Sequence, residues 1–140
     1  MKTLVSGKNE RLLTWVGERV DTKSFYPGAV GIGLDVDGKL TAAVVYELYN
    51  EISVNMHIAL EPGWSLSREQ IRIAFSYPFG QLGCQRITGT IRTDNFLAQR
   101  LAEKLGFVQE GRMRYACKDG TDMIIYGMLR DECRWIGVKR

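Results

Sequence analysis

The segment NFLAQRLAEKLGFVQEGRMR, residues 95–114, carries the signals for one complete helix and for the strand after it. Asn95, or Asp94 before it, is a favourable N-cap because its side chain can accept a hydrogen bond from the first turn. Gly106 stands where a left-handed C-cap is needed, and Phe107 can pack back on the last turn. The apolar side chains between these two ends share one helical face: Leu97, Ala98, Leu101, Ala102 and Leu105.

Strands are predicted where the upstream sequence is β-rich or alternates with a period of two. Residues 29–36 and 39–48 flank Asp37-Gly38, the strongest short signal for a hairpin. Residues 51–60 alternate between two faces, and residues 86–92 alternate again. In 51–60 an apolar face opposes a small or polar one: Ile52, Val54, Met56, Ile58 and Leu60 against Ser53, Asn55, His57 and Ala59.

Two further helices are predicted from their caps and their apolar spacing. Helical spacing after Asn9 predicts a helix over residues 9–21. The residues Ser67-Arg68-Glu69-Gln70 have the form of a capping box, so a helix should begin at Ser67. Pro78 then kinks or stops that helix near Tyr77, because proline lacks the donor that the next turn needs.

A closing hairpin completes the predicted order of elements. Asp119-Gly120 is a second hairpin signal, and it predicts paired strands over residues 108–118 and 121–129. The full order is helix, strand pair, strand, helix, strand, helix, strand pair. This order indicates an α/β (α+β) domain with a mixed sheet.

Length and composition limit the class of protein. A chain of 140 residues with 45% hydrophobic and 25% charged residues fits one globular unit, so we expect residues 1–140 to form a single domain. No run approaches the roughly 18 apolar residues that span a bilayer, and the N-terminus is charged where a signal peptide needs an apolar core. We therefore expect a cytoplasmic protein without a membrane partner.

The cysteines and the net charge argue against several kinds of site. Cys84, Cys117 and Cys133 are an odd number without close spacing, which fits neither a disulfide framework nor a zinc site, so we expect no metal. They also lack an adjacent base in sequence for nucleophilic catalysis. The net charge of +3 can help to attract an anionic nucleotide cofactor but is too small to imply nucleic acid by itself.

The junction between strand 51–60 and the next helix is a candidate anion site. The strand ends at Glu61-Pro62-Gly63, and the capped helix begins within Ser65–Arg68. Free backbone N–H groups and the positive end of the helix dipole favour an anion there. Arg68 in the first turn is unfavourable for the dipole unless an anion lies nearby. Trp64 either covers bound phosphates or plugs the turn.

The segment 95–114 resembles the C-terminal half of the GNAT acetyltransferase superfamily, where a strand is followed by Asn, a short helix, Leu-Gly-Phe and often Glu-Gly. The order of elements from about residue 29 to residue 129 matches that family too. The segments YPFGQLGCQRITGTI (77–91) and MLRDECRW (128–135) are similar to small phage- or prophage-encoded members. The residues at family positions are Asn95, Ala98, Leu101, Lys104, Leu105, Gly106, Phe107, Glu110 and Gly111.

The resemblance implies a single GNAT-like domain whose mixed sheet has helices on both faces and whose parallel strands 51–60 and 85–92 splay apart. The co-substrate acetyl-CoA would lay its pantetheine arm in the gap, against backbone groups near Ile58 and Leu60. Asn95 would contact the arm from the other strand. The pyrophosphate would rest on the next helix N-terminus, formed by Trp64, Ser65, Ser67 and Arg68.

The activity that the resemblance implies is transfer of an acetyl group from acetyl-CoA to a primary amine of a protein or a small molecule. Two features depart from the family pattern. The usual pyrophosphate loop, Gln or Arg, two residues, Gly, one residue, Gly or Ala, is replaced by GWSLSR at 63–68. The tyrosine that the family often uses as the acid for the leaving thiolate is replaced by Ala102.

His57 is the only histidine, and it lies on the non-aliphatic face of the strand that would flank the thioester. Attack by an amine needs a base near neutral pKa and a donor for the developing oxyanion, for which the backbone N–H near Ile58 is the natural candidate. A hydrogen-bonded structural role is an equal alternative for His57. Glu47, Glu51 and Glu61 are other candidate bases, each of which is expected to be a surface carboxylate.

Two other classes of function stay open from the sequence. A GNAT-fold protein can lose catalysis and bind a partner or only the cofactor. A nucleic-acid-binding module is weaker, because its basic residues are scattered and no aromatic pair at stacking spacing accompanies them. Those residues are Arg86, Arg92, Arg100, Arg112 and Arg114, with Tyr115. The acceptor and the oligomeric state, a homodimer included, cannot be read from the sequence.

Overall fold

The computed structural model describes residues 1–20 and 25–137. In chain order the strands are β1 (Lys2–Gly7), β2 (Val30–Val36), β3 (Lys39–Glu47), β4 (Ser53–Leu60), β5 (Arg86–Arg92), β6 (Val108–Met113) and β7 (Met123–Leu129). The helices are α1 (Glu10–Arg19), α2 (Arg68–Ser76) and α3 (Phe96–Leu105). Across the described ranges the strands form one sheet in the order β1-β2-β3-β4-β5-β7-β6. Only β4 and β5 pair in parallel, so the sheet is mixed, as predicted.

Helices cover both faces of the sheet, which confirms the predicted layers. On one face, Leu12 and Val16 of α1 pack against Val45 of β3 and Ala59 of β4. The other face carries the larger cluster, to which α2 and α3 contribute. That cluster includes Val44, Tyr46, Val54, Met56, Ala74, Phe75, Ala102 and Leu105. The alternation of side chains along β3 and β4 therefore divides the core into two.

The predicted helix ends are present with their capping bonds. Asn9 Oδ1 accepts from the Leu12 amide at 3.1 Å, and α1 follows within the predicted 9–21, of which residue 21 lies outside the described ranges. Ser67 and Gln70 form the capping box in both directions, at 3.1 and 2.9 Å. Gly106 ends α3 with φ of 110°, a conformation that glycine adopts without strain.

The closing hairpin is shorter than predicted, and its connection is a long loop. The predicted strands 108–118 and 121–129 are wrong at their inner ends, because β6 stops at Met113 and β7 starts at Met123. Tyr115 turns the chain with φ of 52°, and its amide donates to Asp122 Oδ1 at 2.8 Å. Side-chain bonds of this kind replace the strand ladder.

Two other features correct the sequence prediction. Strand β1, which pairs with β2, was missed, because it is short and mostly exposed and has no strong apolar alternation. Pro78 neither kinks nor stops its helix. The chain instead widens into a π-helical turn at Tyr77–Gln81, in which the Leu82 amide donates to the Tyr77 carbonyl at 2.9 Å. A π turn accommodates the missing proline donor.

The parallel pair β4–β5 separates soon after it begins. Its register runs only through Ser53–Arg86, Val54–Ile87 and Asn55–Thr88. From Met56 onward β4 keeps its partner β3, while β5 keeps β7. The predicted splayed pair is therefore confirmed, and the gap opens in the middle of the sheet.

Gly31 tests how tightly α1 packs on the sheet. A Cβ at this position of β2 would lie 2.3 Å from Leu12 Cδ2 and 3.0 Å from the Val44 carbonyl oxygen, and Leu12 is fully buried. We expect Gly31→Ala to lower the free energy of unfolding by about 1–3 kcal/mol, because it overpacks a closed core. The measurement is urea unfolding.

Gly80→Ala is the matched control, because nothing lies within 4 Å of its ideal Cβ and its φ is not positive. The control should change the free energy of unfolding by less than about 0.5 kcal/mol. Equal unfolding midpoints for Gly31→Ala and Gly80→Ala would contradict the packing of α1.

Candidate active site

The gap between β4 and β5 is a cavity of about 140 Å³. Both splayed strands, α3 and β7 form its walls, and the end of α1 closes one side. It brings together three of the predicted site residues, His57, Ile58 and Asn95. The other lining residues include Arg19, Met56, Gly89, Thr90, Ala98, Ala102, Phe107 and Tyr126.

The edge of β4 that faces the gap presents peptide groups without a strand partner. The Ile52 carbonyl accepts from the Gln85 amide at 2.8 Å, so this carbonyl points toward β5. Successive peptide groups of a strand point to opposite edges, and Ile58 and Leu60 therefore present theirs on the same side as Ile52. Pairing with β5 ends at Asn55, so the two groups are available to a ligand in the gap.

His57 lies between the cavity and a buried carboxylate. Its Nε2 is 2.6 Å from Glu47 Oε2, and the side chains are only 16% and 9% exposed. The two residues come from adjacent strands, since β3 and β4 pair Val45 with His57 and Glu47 with Asn55. The ring of Phe25 lies 5.2 Å from the imidazole, between ring centroids.

Glu47 is held in its ionised form. Burial by itself raises the pKa of its carboxyl, but the hydrogen bond with His57, the Tyr26 amide at 2.9 Å and the charge of His57 together keep the pKa below its ordinary value. An ionised carboxylate can only accept, so His57 carries its proton on Nε2 and has Nδ1 free to accept another.

The expectation that Glu47 is a surface carboxylate is therefore wrong, because its residue is 8% exposed. The sequence could not reveal this contact, because the register of β3 against β4 was open. Glu61, another candidate base, pairs with Arg19 at 3.1 Å. Glu51 is exposed in the turn between β3 and β4.

The predicted phosphate turn is exposed, and part of it is already hydrogen-bonded. The Ser67 amide donates to the Gln70 side chain, and the Ser67 hydroxyl accepts from the Gln70 amide, so neither group is free. Arg68 is exposed and makes no ion pair with any residue in the described ranges. Ser65 is exposed as well. Trp64 is 42% exposed, so the prediction that it plugs the turn is wrong.

Asn95 combines a structural contact with a place at the cavity. Its Oδ1 accepts from the Ala98 amide at 3.1 Å, which makes it the N-cap of α3. Oδ1 takes this bond, and the Nδ2 amide group is left for a ligand in the gap. The capping role and the predicted ligand contact are therefore compatible.

Tyr126 is a cavity residue that the sequence reasoning missed. Its side chain on β7 is 1% exposed and lines the same cavity as Ala102, and its hydroxyl donates to Glu103 Oε2 at 3.1 Å. Burial, with the bond and charge of Glu103, raises the pKa of Tyr126, so the hydroxyl keeps its proton. The sequence contained no signal for this position, because β7 lies between β5 and β6 only in the folded sheet.

The basic residues that could have served nucleic acid find other partners in the described part of the chain. Three of the five scattered arginines pair with carboxylates: Arg86 with Glu110, Arg92 with Asp94 and Asp119, and Arg112 with Asp122. Such pairing removes much of the charge that a phosphate backbone needs.

The thiols are placed where they are chemically inert. Cys84, Cys117 and Cys133 are buried free thiols, and burial raises the pKa of Cys84 and Cys133. Across residues 1–20 and 25–137, no three His, Cys, Asp or Glu side chains come together as a metal site would require. Within the same ranges, no helix has the length and apolar character to cross a membrane.

No protein-family model matches the chain. Over 126 residues, 88% of its length, the chain is 31% identical to the uncharacterized N-acetyltransferase YoaA of Bacillus subtilis (strain 168). The match spans 66% of that relative, slightly less than two thirds of its length.

Solved structures share the fold. The spermidine/spermine N-acetyltransferase SpeG from Vibrio cholerae superposes with a TM-score of 0.73 and 19% identity, over 93% of each chain. A putative acetyltransferase from T. thermophilus gives a TM-score of 0.65 and 22% identity, over 76% of this chain and 62% of that one. With the splayed strands and the Asn95–Gly111 pattern, these likenesses show that the chain belongs to the GNAT superfamily of N-acetyltransferases.

Proposed function

We propose that this chain transfers an acetyl group from acetyl-CoA to a primary amine, with residues 1–140 acting as a single domain. The observation that carries the proposal is His57, which lines the gap between β4 and β5 and hydrogen-bonds through Nε2 to the ionised Glu47. A histidine in this state is a base poised at the edge of a cavity that opens beside unpaired backbone groups.

The cavity supports a donor bound along β4. A pantetheine arm carries amide groups that can pair with the free peptide edge at Ile58 and Leu60, as an added strand would. Asn95 Nδ2 faces the same space from the start of α3. Arg68 and the first amides of α2 are available to the phosphates, without the help of Ser67.

The chemistry asks for three groups in the gap. The amine nitrogen attacks the thioester carbonyl carbon and gives its proton to His57 Nδ1, while the Glu47 carboxylate stabilises the imidazolium that forms. The Ile58 amide donates to the developing oxyanion. The C–S bond then breaks, the acetyl group stays on the nitrogen, and the thiolate leaves. Tyr126 keeps its proton and can donate a hydrogen bond to the departing sulfur.

A second candidate function is a GNAT-fold protein that binds acetyl-CoA or a partner without turnover. It is favoured by two features, Ala102 in place of the family's tyrosine and the Ser67 amide that its own capping box occupies. Turnover separates the two candidates, and cofactor binding is common to both.

The proposed co-substrate is tested by thermal unfolding with acetyl-CoA. A ligand that binds only the folded state stabilises it, by about 2.7 kcal/mol at a hundredfold excess over Kd, so the midpoint should rise by several degrees. ATP at the same concentration is the control for non-specific phosphate binding. An unchanged midpoint at millimolar acetyl-CoA, in protein shown to be folded, would remove both candidates.

Substitutions of Asn95 separate its two contacts. Asn95→Asp keeps an Oδ1 acceptor for the Ala98 amide but removes the Nδ2 donor, so stability should be nearly unchanged while CoA affinity falls. Asn95→Ala should lower both, with a loss of about 0.5–2 kcal/mol in unfolding free energy. Calorimetric titration and urea unfolding measure the two quantities. Wild-type CoA affinity in Asn95→Asp would leave Asn95 as a cap alone.

The base is tested by His57→Gln. Glutamine keeps a polar side chain of similar reach but cannot take a proton at neutral pH, so turnover should fall by roughly 100-fold or more while CoA binding is retained. The acidic limb of the pH–rate profile should also disappear, because that limb reports protonation of the base. Turnover and pH profile like those of the wild type would refute the assignment and turn attention to Glu47.

A further inference from the structure

A second concave surface lies at the other end of β4, away from the α2 N-terminus. It is a cleft of about 460 Å³ between the start of β2, the end of β3 and the π-helical turn. We call it the tyrosine cleft, because four of the chain's six tyrosines line it. Its principal residues are Tyr26, Tyr46, Glu47, Tyr49, Tyr77 and Leu82.

The charge in the tyrosine cleft is negative. Glu47 is the one charged side chain that lines it within the described ranges, and its carboxyl pKa is held low. Its two oxygens accept from the Tyr26 amide and from His57 Nε2, and neither partner is a lysine or an arginine. The carboxylate therefore keeps a charge that no guanidinium or ammonium group of these residues neutralises.

The tyrosines supply aromatic surface around this charge. Tyr26 is 63% exposed and Tyr49 is 48% exposed, although both sit in a concave surface. Tyr46 is buried and braces Tyr77, with ring centroids 5.0 Å apart. Aromatic faces carry negative potential and attract organic cations, and several rings around one cation form the arrangement that recognises alkylammonium groups.

We propose that the tyrosine cleft binds an organic ammonium ion. An anion would meet the Glu47 carboxylate, and a neutral apolar group would cover that charge without compensating it. An alkylammonium group satisfies both the carboxylate and the aromatic walls. This inference does not depend on acetyl transfer, because the cleft and the gap between β4 and β5 are separate surfaces that share only the Glu47–His57 contact.

The test compares two molecules of the same shape, choline and its uncharged isostere 3,3-dimethylbutan-1-ol, by calorimetry or ligand-observed NMR without acetyl-CoA. Choline should bind at least about tenfold more tightly, as expected for a cation among aromatic rings beside a carboxylate. Equal affinities for the two molecules would overturn the proposal.

Paired variants identify the surface. Tyr26→Leu with Tyr49→Leu removes two exposed rings and should abolish the preference for choline, whereas Tyr26→Phe with Tyr49→Phe keeps the rings and should retain it. Tyr115→Leu is the matched control, because Tyr115 is 74% exposed and lies outside the cleft. A preference for choline that survives in the double leucine variant, shown to be folded, would overturn the assignment to this cleft.

The source of the cation is separated by two acceptors of equal shape, (2-aminoethyl)trimethylammonium and 3,3-dimethylbutylamine. If the cleft holds part of the acceptor, the cationic amine has the lower KM in wild type, and this advantage is lost in the double leucine variant. If the KM ratio is unchanged by the variant while choline still binds wild type, the cleft serves a separate cation. Failure of acetyl transfer leaves the choline measurements intact.

Discussion

The structure depends on the point where two parallel strands stop pairing. β4 and β5 share three residue pairs and then part, and every element around the gap follows from that separation. β3 keeps β4 in the sheet on one side, and β7 keeps β5 on the other, so the sheet survives a break at its centre. The cost of unpaired peptide groups becomes a binding edge, since such groups need a partner from water or a ligand.

The polar pair His57–Glu47 lies on the face of the sheet that α1 covers, where its neighbours are apolar. A buried carboxylate is tolerated there because it accepts two hydrogen bonds, from the Tyr26 amide and from His57. The same two bonds orient the imidazole toward the gap and hold its tautomer. Glu47 thereby links the gap, through His57, with the tyrosine cleft, which it lines directly.

Membership of the GNAT superfamily explains the layers of the fold more fully than the details of the site. The relatives share the fold at low identity, while the loop GWSLSR and Ala102 differ from the family pattern. In this chain the α2 N-terminus is closed in part by its own capping box, and the hydroxyl nearest the role of the missing tyrosine belongs to Tyr126. Fold and chemistry therefore vary separately, as they do in widely used folds.

The sequence by itself determined the local elements, because caps, turns and alternation act over a few residues. The structure reproduces the helix ends marked by Asn9, Ser67, Asn95 and Gly106. Strand β1 escaped because its pattern is weak, and the last hairpin was drawn too long because side-chain bonds around Asp122 compete with strand pairing. Only the tertiary structure decided which distant residues meet: His57 reaches Glu47 through the register of β3 against β4, and Tyr126 reaches the gap because β7 enters the sheet beside β5. Strand register and strand order arise from the packing of the whole sheet, so a local reading of residue patterns does not contain them.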